Sequence, residues 1–359
     1  MHRIILKKSV DFGTKMRRMA ADVPYLIETK MLAGIAAAVD GDVSVETPFP
    51  WAGFNTRSSD WELTIKINPS ALKSILLIRS GGAGDLLFLT PTIRAIKTKF
   101  PEAKLYVATL YEYRWILATN PYIESIIDFP MEESRCSEFD WIIPLEGTIE
   151  NAKDKHAVDV IAEACGVELD DKQTEYYPFY QPEYYDALFP RKAGKKRIAV
   201  QAVSNSPVRT YPKMNHVFGM LDNMGYETVI YGEPCKLPTK GRNVIDLTTA
   251  GMSWQQNVDM LQTCDGMVGP DSSITHFAAA LGIPTVAIYG SFPWQLRTAY
   301  QTNVRALSGN GDCAGCQWHG NGGRVFPEGK PCNEAGRCVV LDSVDPERVV
   351  KELKKLIGD

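Results

Sequence analysis

The sequence predicts an α/β fold built on two parallel sheets wrapped by helices, and three observations carry that expectation. Short apolar runs of strand length recur along most of the chain, each followed by a helical or turn segment, as strands covered on both faces require. The runs fall into two series separated by a Tyr- and Pro-rich stretch over residues 174–194. At 359 residues the chain is too long for one ordinary core and suits two.

Taken in order, residues 1–70 read as a small α+β appendage. A helix is expected around Asp22 to Val39, followed by a Pro/Gly/Asp-punctuated segment and the alternating strand Trp61 to Ile67. The first α/β domain, residues 71–190, opens on the short apolar run Ser74–Arg79, of the kind expected for a strand buried on both faces. A Gly-rich turn follows, then a helix to about Phe100 with Leu86, Leu89, Ile93 and Ile96 at helical spacing, then the strand Lys104 to Thr109. Further runs at Ile126–Phe129 and Trp141–Leu145 continue the alternation. The second domain, residues 191–359, has runs at Arg197–Val203, Glu227–Tyr231, Gly266–Gly269 and Thr285–Tyr289. Its last helix, about Asp345 to Ile357, starts Asp-Pro-Glu, a capped start with Pro at the first helical position.

Composition excludes several classes. Hydrophobic residues at 45% and charged residues at 23% are ordinary for a globular protein, so disorder is not expected. A net charge of -4 offers no global positive field, so nucleic acid is not a suggested partner. No apolar run is long enough to span a bilayer. Arg3, Lys7, Lys8, Lys15, Arg17 and Arg18 make a basic start without the apolar stretch and cleavage site of a secretory leader. A cytoplasmic location follows, and the basic start reads either as a solvated helix or as a peripheral contact with the inner membrane face.

Two loops could carry chemistry. In Ser80-Gly-Gly-Ala-Gly-Asp85, between a strand and a helix, Gly81, Gly82 and Gly84 let a ligand approach the backbone, and the helix start favours anions. Alone it could equally be a tight turn in which Asp85 caps the helix. In Gly269-Pro-Asp-Ser-Ser-Ile-Thr-His276, the carboxylate of Asp271, the hydroxyls of Ser272 and Ser273, His276 and the first amides of the next helix could together hold sugar hydroxyls and a pyrophosphate.

Jointly the two loops resemble glycosyltransferase family 9, the ADP-heptose glycosyltransferases. The resemblance runs from about Ser74 to Ala306 on the landmarks Ile75–Asp85, Leu89–Ile96 and Pro270–Pro284. It implies a GT-B fold of two facing Rossmann-like domains, acceptor mainly on the first and nucleotide-sugar donor on the second. It makes Asp85 the general base of an inverting transfer. It assigns Ser204, Asn205, Arg209, Glu233, Asp271 and His276 to the donor, alongside the glycines and serines named above. Two departures bear on sugar and nucleotide identity: Ser273 stands where the family usually has Gly, and Arg209-Thr-Tyr-Pro212 where it has Lys before an aromatic-Pro pair. Arg keeps the charge but can chelate phosphate bidentately.

Cys313, Cys316, Cys332 and Cys338 form a C-x2-C-x15-C-x5-C pattern in a Gly-rich segment that has little to bury, over about residues 309–340. Four thiolates at such spacing suit one tetrahedral structural site for zinc or iron, with His319 a substitute ligand. Two disulfides or free thiols are the competing readings. The autotransporter-modifying heptosyltransferases, which the chain also resembles, have a similar iron-holding finger. The other four cysteines, Cys136, Cys165, Cys235 and Cys264, read as buried thiols. No catalytic metal is inferred.

The expected activity is therefore inverting transfer of a heptose-like sugar from a nucleoside diphosphate, ADP favoured, to a hydroxyl of lipopolysaccharide core or a protein Ser/Thr. A homo-oligomer is compatible with the sequence. The alternatives are a nucleotide-sugar epimerase, a nucleotide-sugar-binding assembly module, and a glycosyltransferase acting on modified DNA.

Overall fold

The computed structural model describes residues 1–13, 15–16, 18–46, 72–234, 237, 243–317 and 338–359. The strand expected over Trp61–Ile67 lies outside them. Internal packing divides the chain into two units, Met1–Lys172 and Gln173–Asp359. The Tyr- and Pro-rich stretch from residue 173 onward therefore packs with the second unit.

The first unit opens with β1 (His2–Leu6), β2 (Pro24–Ile27), α1 (Thr29–Ala38) and β3 (Val43–Glu46). Of the basic start, Arg3 lies in β1, and Lys7, Lys8, Lys15 and Arg18 lie in no helix. Alternation decides the strand: His2, Ile4 and Leu6 point inward while Arg3 is partly exposed and pairs with Glu133. The helix expected from Asp22 begins only at Thr29, because Pro24–Ile27 pairs antiparallel with β1. A short apolar run beside an amphipathic helix carries no period of its own to separate the two.

The parallel sheet of this unit comprises β4 (Ser74–Ile78), β5 (Lys104–Leu110), β6 (Ser125–Phe129) and β8 (Trp141–Pro144), in the order β6-β5-β4-β8. The short β7 (Met131–Glu132) leaves this series to join the small antiparallel sheet, whose order is β3-β1-β2-β7. Leu26 of β2 and Met131 of β7 pack into the core beneath Leu76, Ile78 and Ile142, so the small sheet is fastened to the parallel one by shared apolar burial. The single helix expected after the Gly-rich turn is two, α2 (Ala83–Phe88) and α3 (Thr90–Lys99). Pro91, without an N–H to continue the first helix, starts the second. Helices α4 (Thr148–Asn151) and α5 (Ala157–Cys165) complete the unit.

The second unit has α6 (Pro182–Leu188) and six parallel strands: β9 (Arg197–Val203), β10 (Glu227–Gly232), β11 (Val244–Asp246), β12 (Gly266–Pro270), β13 (Thr285–Tyr289) and β14 (Val304–Ser308). Their order is β11-β10-β9-β12-β13-β14. Between them run α7 (Met214–Asn223), α8 (Trp254–Asp259) and α9 (Ser273–Ala280), and α10 (Pro346–Ile357) closes the unit. Ile198, Val200, Val268, Val286 and Ile288 meet Val349, Val350 and Leu353 of α10 in one fully buried cluster. Each such side chain stabilises the fold by roughly 1.5–3 kcal/mol. As expected, Asp345 caps α10 through the Glu347 amide.

Asp259, at the end of α8, has no solvent exposure and accepts hydrogen bonds from the Tyr176 hydroxyl and from the amides of Phe179 (3.1 Å) and Tyr180 (2.9 Å). The segment before α6 is thereby anchored to the second unit. Among the described residues, no helix is long and apolar enough to cross a membrane.

Candidate active site

In open parallel sheets, ligands bind beyond the carboxyl ends of the strands, where the strand order reverses. In the second unit that point falls between β9 and β12, whose chain successors are Ser204-Asn205 and Asp271-Ser272. The residues assigned to the donor from sequence largely converge there. His276 Nε2 approaches Asp271 Oδ1 at 3.4 Å, and both side chains are nearly buried. Burial by itself would raise the Asp271 carboxyl, but His276, Arg209 and Arg297 outweigh it and hold the group below its ordinary value. Arg209 reaches across from the β9 loop, its guanidinium donating to the Asp271 carbonyl and to Asn205 Oδ1, both at 3.4 Å. Its Nε is buried with no partner among the described residues. These long bonds and the spare donor leave most of the guanidinium's fork unused.

Ser272 is the N-cap of α9 in extended conformation (φ −154°, ψ 164°), yet its side chain makes no cap bond. Its hydroxyl instead donates to Gln201 Oε1 on β9. The first amides of α9 are left without a side-chain acceptor, which is the arrangement that receives anions at helix starts. Gly269 must stay bare here, since a Cβ would lie 2.5 Å from Thr275 Oγ1. That hydroxyl pins the helix to the strand through the Pro270 carbonyl at 2.7 Å. Ser204 Oγ accepts from the Ser206 amide at 3.3 Å, shaping the β9 loop. Glu233 lies exposed just past β10, one strand away from the reversal, and Ser273 opens α9.

In the first unit the reversal lies between β4 and β8, and the Gly-rich loop leaves from the end of β4. Gly82 has φ +88°, and a Cβ on it would lie 2.3 Å from Asp85 Oδ2. The glycine is thus demanded both by backbone and by the carboxylate folded over it. Asp85 makes no cap bond to the helix; it lies in the first turn of α2 with its side chain 30% exposed. Its Oδ2 accepts from Arg79 Nη2 at 2.6 Å. Arg79 is buried at the end of β4 and also chelates Glu150 of α4, at 2.8 Å and 3.1 Å. Beside them the Tyr113 hydroxyl is pushed up to about 12 by burial, with Glu112 and Asp85 adding to it. One residue on, Ser80 is clamped by Glu28, the residue between β2 and α1, whose carboxylate accepts from the Ser80 amide at 3.0 Å and from its hydroxyl.

Of the C-terminal cysteines, Cys313 and Cys316 are partly exposed and Cys338 is buried, and none is disulfide-bonded. Burial, with Cys313 and Cys316 adding a smaller push, raises the Cys338 thiol above its ordinary value. Cys332 and His319 lie outside the described residues. Among the described residues no three His, Cys, Asp or Glu side chains are grouped as a metal site. Of the four scattered cysteines, Cys136, Cys165 and Cys264 are indeed buried and Cys235 lies outside the described residues.

The family model for glycosyltransferase family 9 (heptosyltransferase) matches residues 144–321, a span that holds the whole β9–β12 constellation. The chain belongs to this family. It is a glycosyltransferase. No curated protein sequence matches it. Its α/β fold with parallel sheets is similar to the E. coli ADP-heptose lipopolysaccharide heptosyltransferase II, with a TM-score of 0.61 at 16% identity over 79% of this chain and 98% of that one. A family 9 glycosyl transferase from Veillonella parvula gives 0.61 at 16% identity, over 80% and 97%. The iron-containing dodecameric glycosyltransferase TibC from enterotoxigenic E. coli gives 0.59 at 15% identity, over 80% and 79%. TibC has also been solved in complex with ADP-D-β-D-heptose.

Sequence reasoning about this family 9 glycosyltransferase missed Arg79, Glu150, Glu28, Gln201 and Arg297. Arg79 left one readable sign, a cation closing an otherwise apolar strand. The partners of Gln201 and Arg297 come from distant loops, and Glu28 and Glu150 lie in segments with no motif.

Proposed function

We propose that this chain transfers a heptose-like sugar, with inversion, from ADP-heptose to a hydroxyl acceptor, lipopolysaccharide core first and a protein Ser/Thr second. The observation that carries this reading is the constellation beyond β9 and β12: an under-used guanidinium, uncapped helix amides and a buried Asp-His pair within one strand reversal. The diphosphate suits Arg209 and the amides of α9, and Asp271 with His276 suits donor hydroxyls. Ser204, Asn205, Ser272 and Ser273 follow the same two strands, and Glu233, past β10, suits the nucleotide side.

Asp85 then acts as general base. The acceptor oxygen bonds to the anomeric carbon while that carbon's bond to the diphosphate breaks. The electron pair leaves with the nucleoside diphosphate, and the hydroxyl proton passes to Asp85. Such a base contributes about 10²- to 10⁴-fold; charge stabilisation of the departing diphosphate by Arg209 supplies a further share. The partly exposed Asp85 carboxylate supports this role, since a fully buried one could not meet an acceptor.

The cysteine segment we read as a structural finger holding zinc or iron on Cys313, Cys316, Cys338 and Cys332. The C-x2-C-x15-C-x5-C spacing in a Gly-rich segment with little to bury supports it. Four protein ligands would leave no open position, so its contribution is to fold a Gly-rich segment.

Calorimetric titration with ADP-heptose, ADP-glucose, UDP-glucose and GDP-mannose tests the donor. ADP-heptose should bind the wild type and Asp85→Ala, and fail to bind Asp271→Ala. Preference for a UDP- or GDP-sugar would overturn the donor, and turnover surviving in Asp85→Ala would overturn the base.

A further inference from the structure

Arg79 is buried and carries two carboxylates at once, Asp85 on Nη2 and Glu150 on Nη1 and Nη2, with the carbonyls of Leu145 (3.1 Å) and Gly81 (3.3 Å) taking its remaining protons. Burial works against the guanidinium's charge, yet the fields of Asp85 and Glu150 more than compensate and raise it further. Burial would likewise raise Glu150, but Arg79 brings it below its ordinary value.

A base tied to a buried cation meets a difficulty. When Asp85 takes the acceptor proton it loses the charge that pairs Arg79, and an unpaired buried cation is costly. Glu150 removes the difficulty, because its bidentate contact persists whatever the state of Asp85. We propose that Arg79 and Glu150 are positioning residues for the reaction: Arg79 fixes the Asp85 carboxylate, and Glu150 keeps Arg79 paired while Asp85 carries the proton. This rests on the reading of Asp85 as the base.

The groups facing Asp85 are Arg79 from the end of β4, Glu150 of α4 through Arg79, and Tyr113 from the turn Tyr111–Ile116. Lys30 adds a weaker attraction on Glu150. On the α5 side, His156 packs edge-on against Phe88 of the helix that bears Asp85.

Two measurements on the full chain test the proposal. The first is a double-mutant cycle in thermal stability and needs no substrate. Asp85→Asn and Glu150→Gln alone each leave one carboxylate on Arg79 and should lower the melting temperature little. The double variant strands the cation and should lower it by clearly more than the sum of the singles. Additive effects would overturn the proposal. Since the double variant is built to be unstable, the single Glu150→Gln carries the second measurement, the pH profile of ADP release from ADP-heptose with water as acceptor. Removing a negative charge from the cluster favours the ionised state of the remaining carboxylate, so the acid limb should move to lower pH by about 1 unit. The limiting rate should fall several-fold with KM for ADP-heptose unchanged, because a weaker base transfers the proton less well, while Glu150→Asp should restore much of it. An unmoved acid limb in a variant of wild-type stability would overturn the proposal. Turnover that persists in Asp85→Asn would instead sink the general-base reading, leaving the stability cycle to judge the pairing.

Discussion

Asp271 illustrates how a neighbour on the adjoining helix and two side chains from other loops set the state of one carboxylate. Burial pushes toward the neutral acid, and His276, Arg209 and Arg297 together win, so the folded state holds the group below its ordinary value. The sign follows from linkage. A depressed carboxylate contributes stability that is fully present above the unfolded value and is lost as pH falls through the folded one. The stability gap between wild type and Asp271→Asn should therefore be greatest near neutral pH and close on acidification below about pH 4. Urea melts of both proteins across that range measure it, and a gap that widened in acid would show that the pair is not ionic. Asp271 and His276 were legible in the sequence because they share one short motif. Arg297 was not, because its approach depends on how the loop after β13 folds back.

At the scale of elements, a buried carboxylate helps hold the segment before α6 to the rest of the second unit. Asp259 receives one hydroxyl and two backbone donors from the segment before α6, and burial raises it despite those bonds. Asp259→Ala would leave those donors unmatched in a dry place, at about 1–3 kcal/mol. The urea midpoint should fall accordingly with the m-value unchanged; an unshifted midpoint would mean that water replaces the carboxylate. The parallel strands were legible because strands buried on both faces announce themselves as unbroken apolar runs. The small antiparallel sheet was legible only as α+β in class. Its β7 comes from residues Met131–Glu132, too short to carry a pattern, and pairing alone made them a strand.

On the scale of the whole molecule, the N-terminal appendage is no passive ornament. Glu28 holds Ser80, and Ser80 adjoins Arg79, so the first 46 residues reach the loop of the proposed base by two bonds. The cysteine segment supplies a second whole-molecule expectation. Protein purified without added metal should carry about one zinc or iron ion per chain, and Cys338→Ser should lose it together with several degrees of melting temperature. Metal analysis beside thiol counting decides this, and a metal-free, stably folded protein would sink the finger.

The sequence by itself determined the class of fold, the two strand series, and the loops at Asp85 and Asp271–His276, because apolar period and Gly-rich turns are local properties of the chain. Tertiary structure alone decided which charges meet. Arg79 joins Asp85 to Glu150, 71 positions from Arg79, and Gln201 draws the Ser272 hydroxyl away from its helix across the same number of positions. Such pairings arise where strand order reverses and distant loops emerge side by side. Strand order is set by packing of whole elements, for which no short stretch of sequence holds the information.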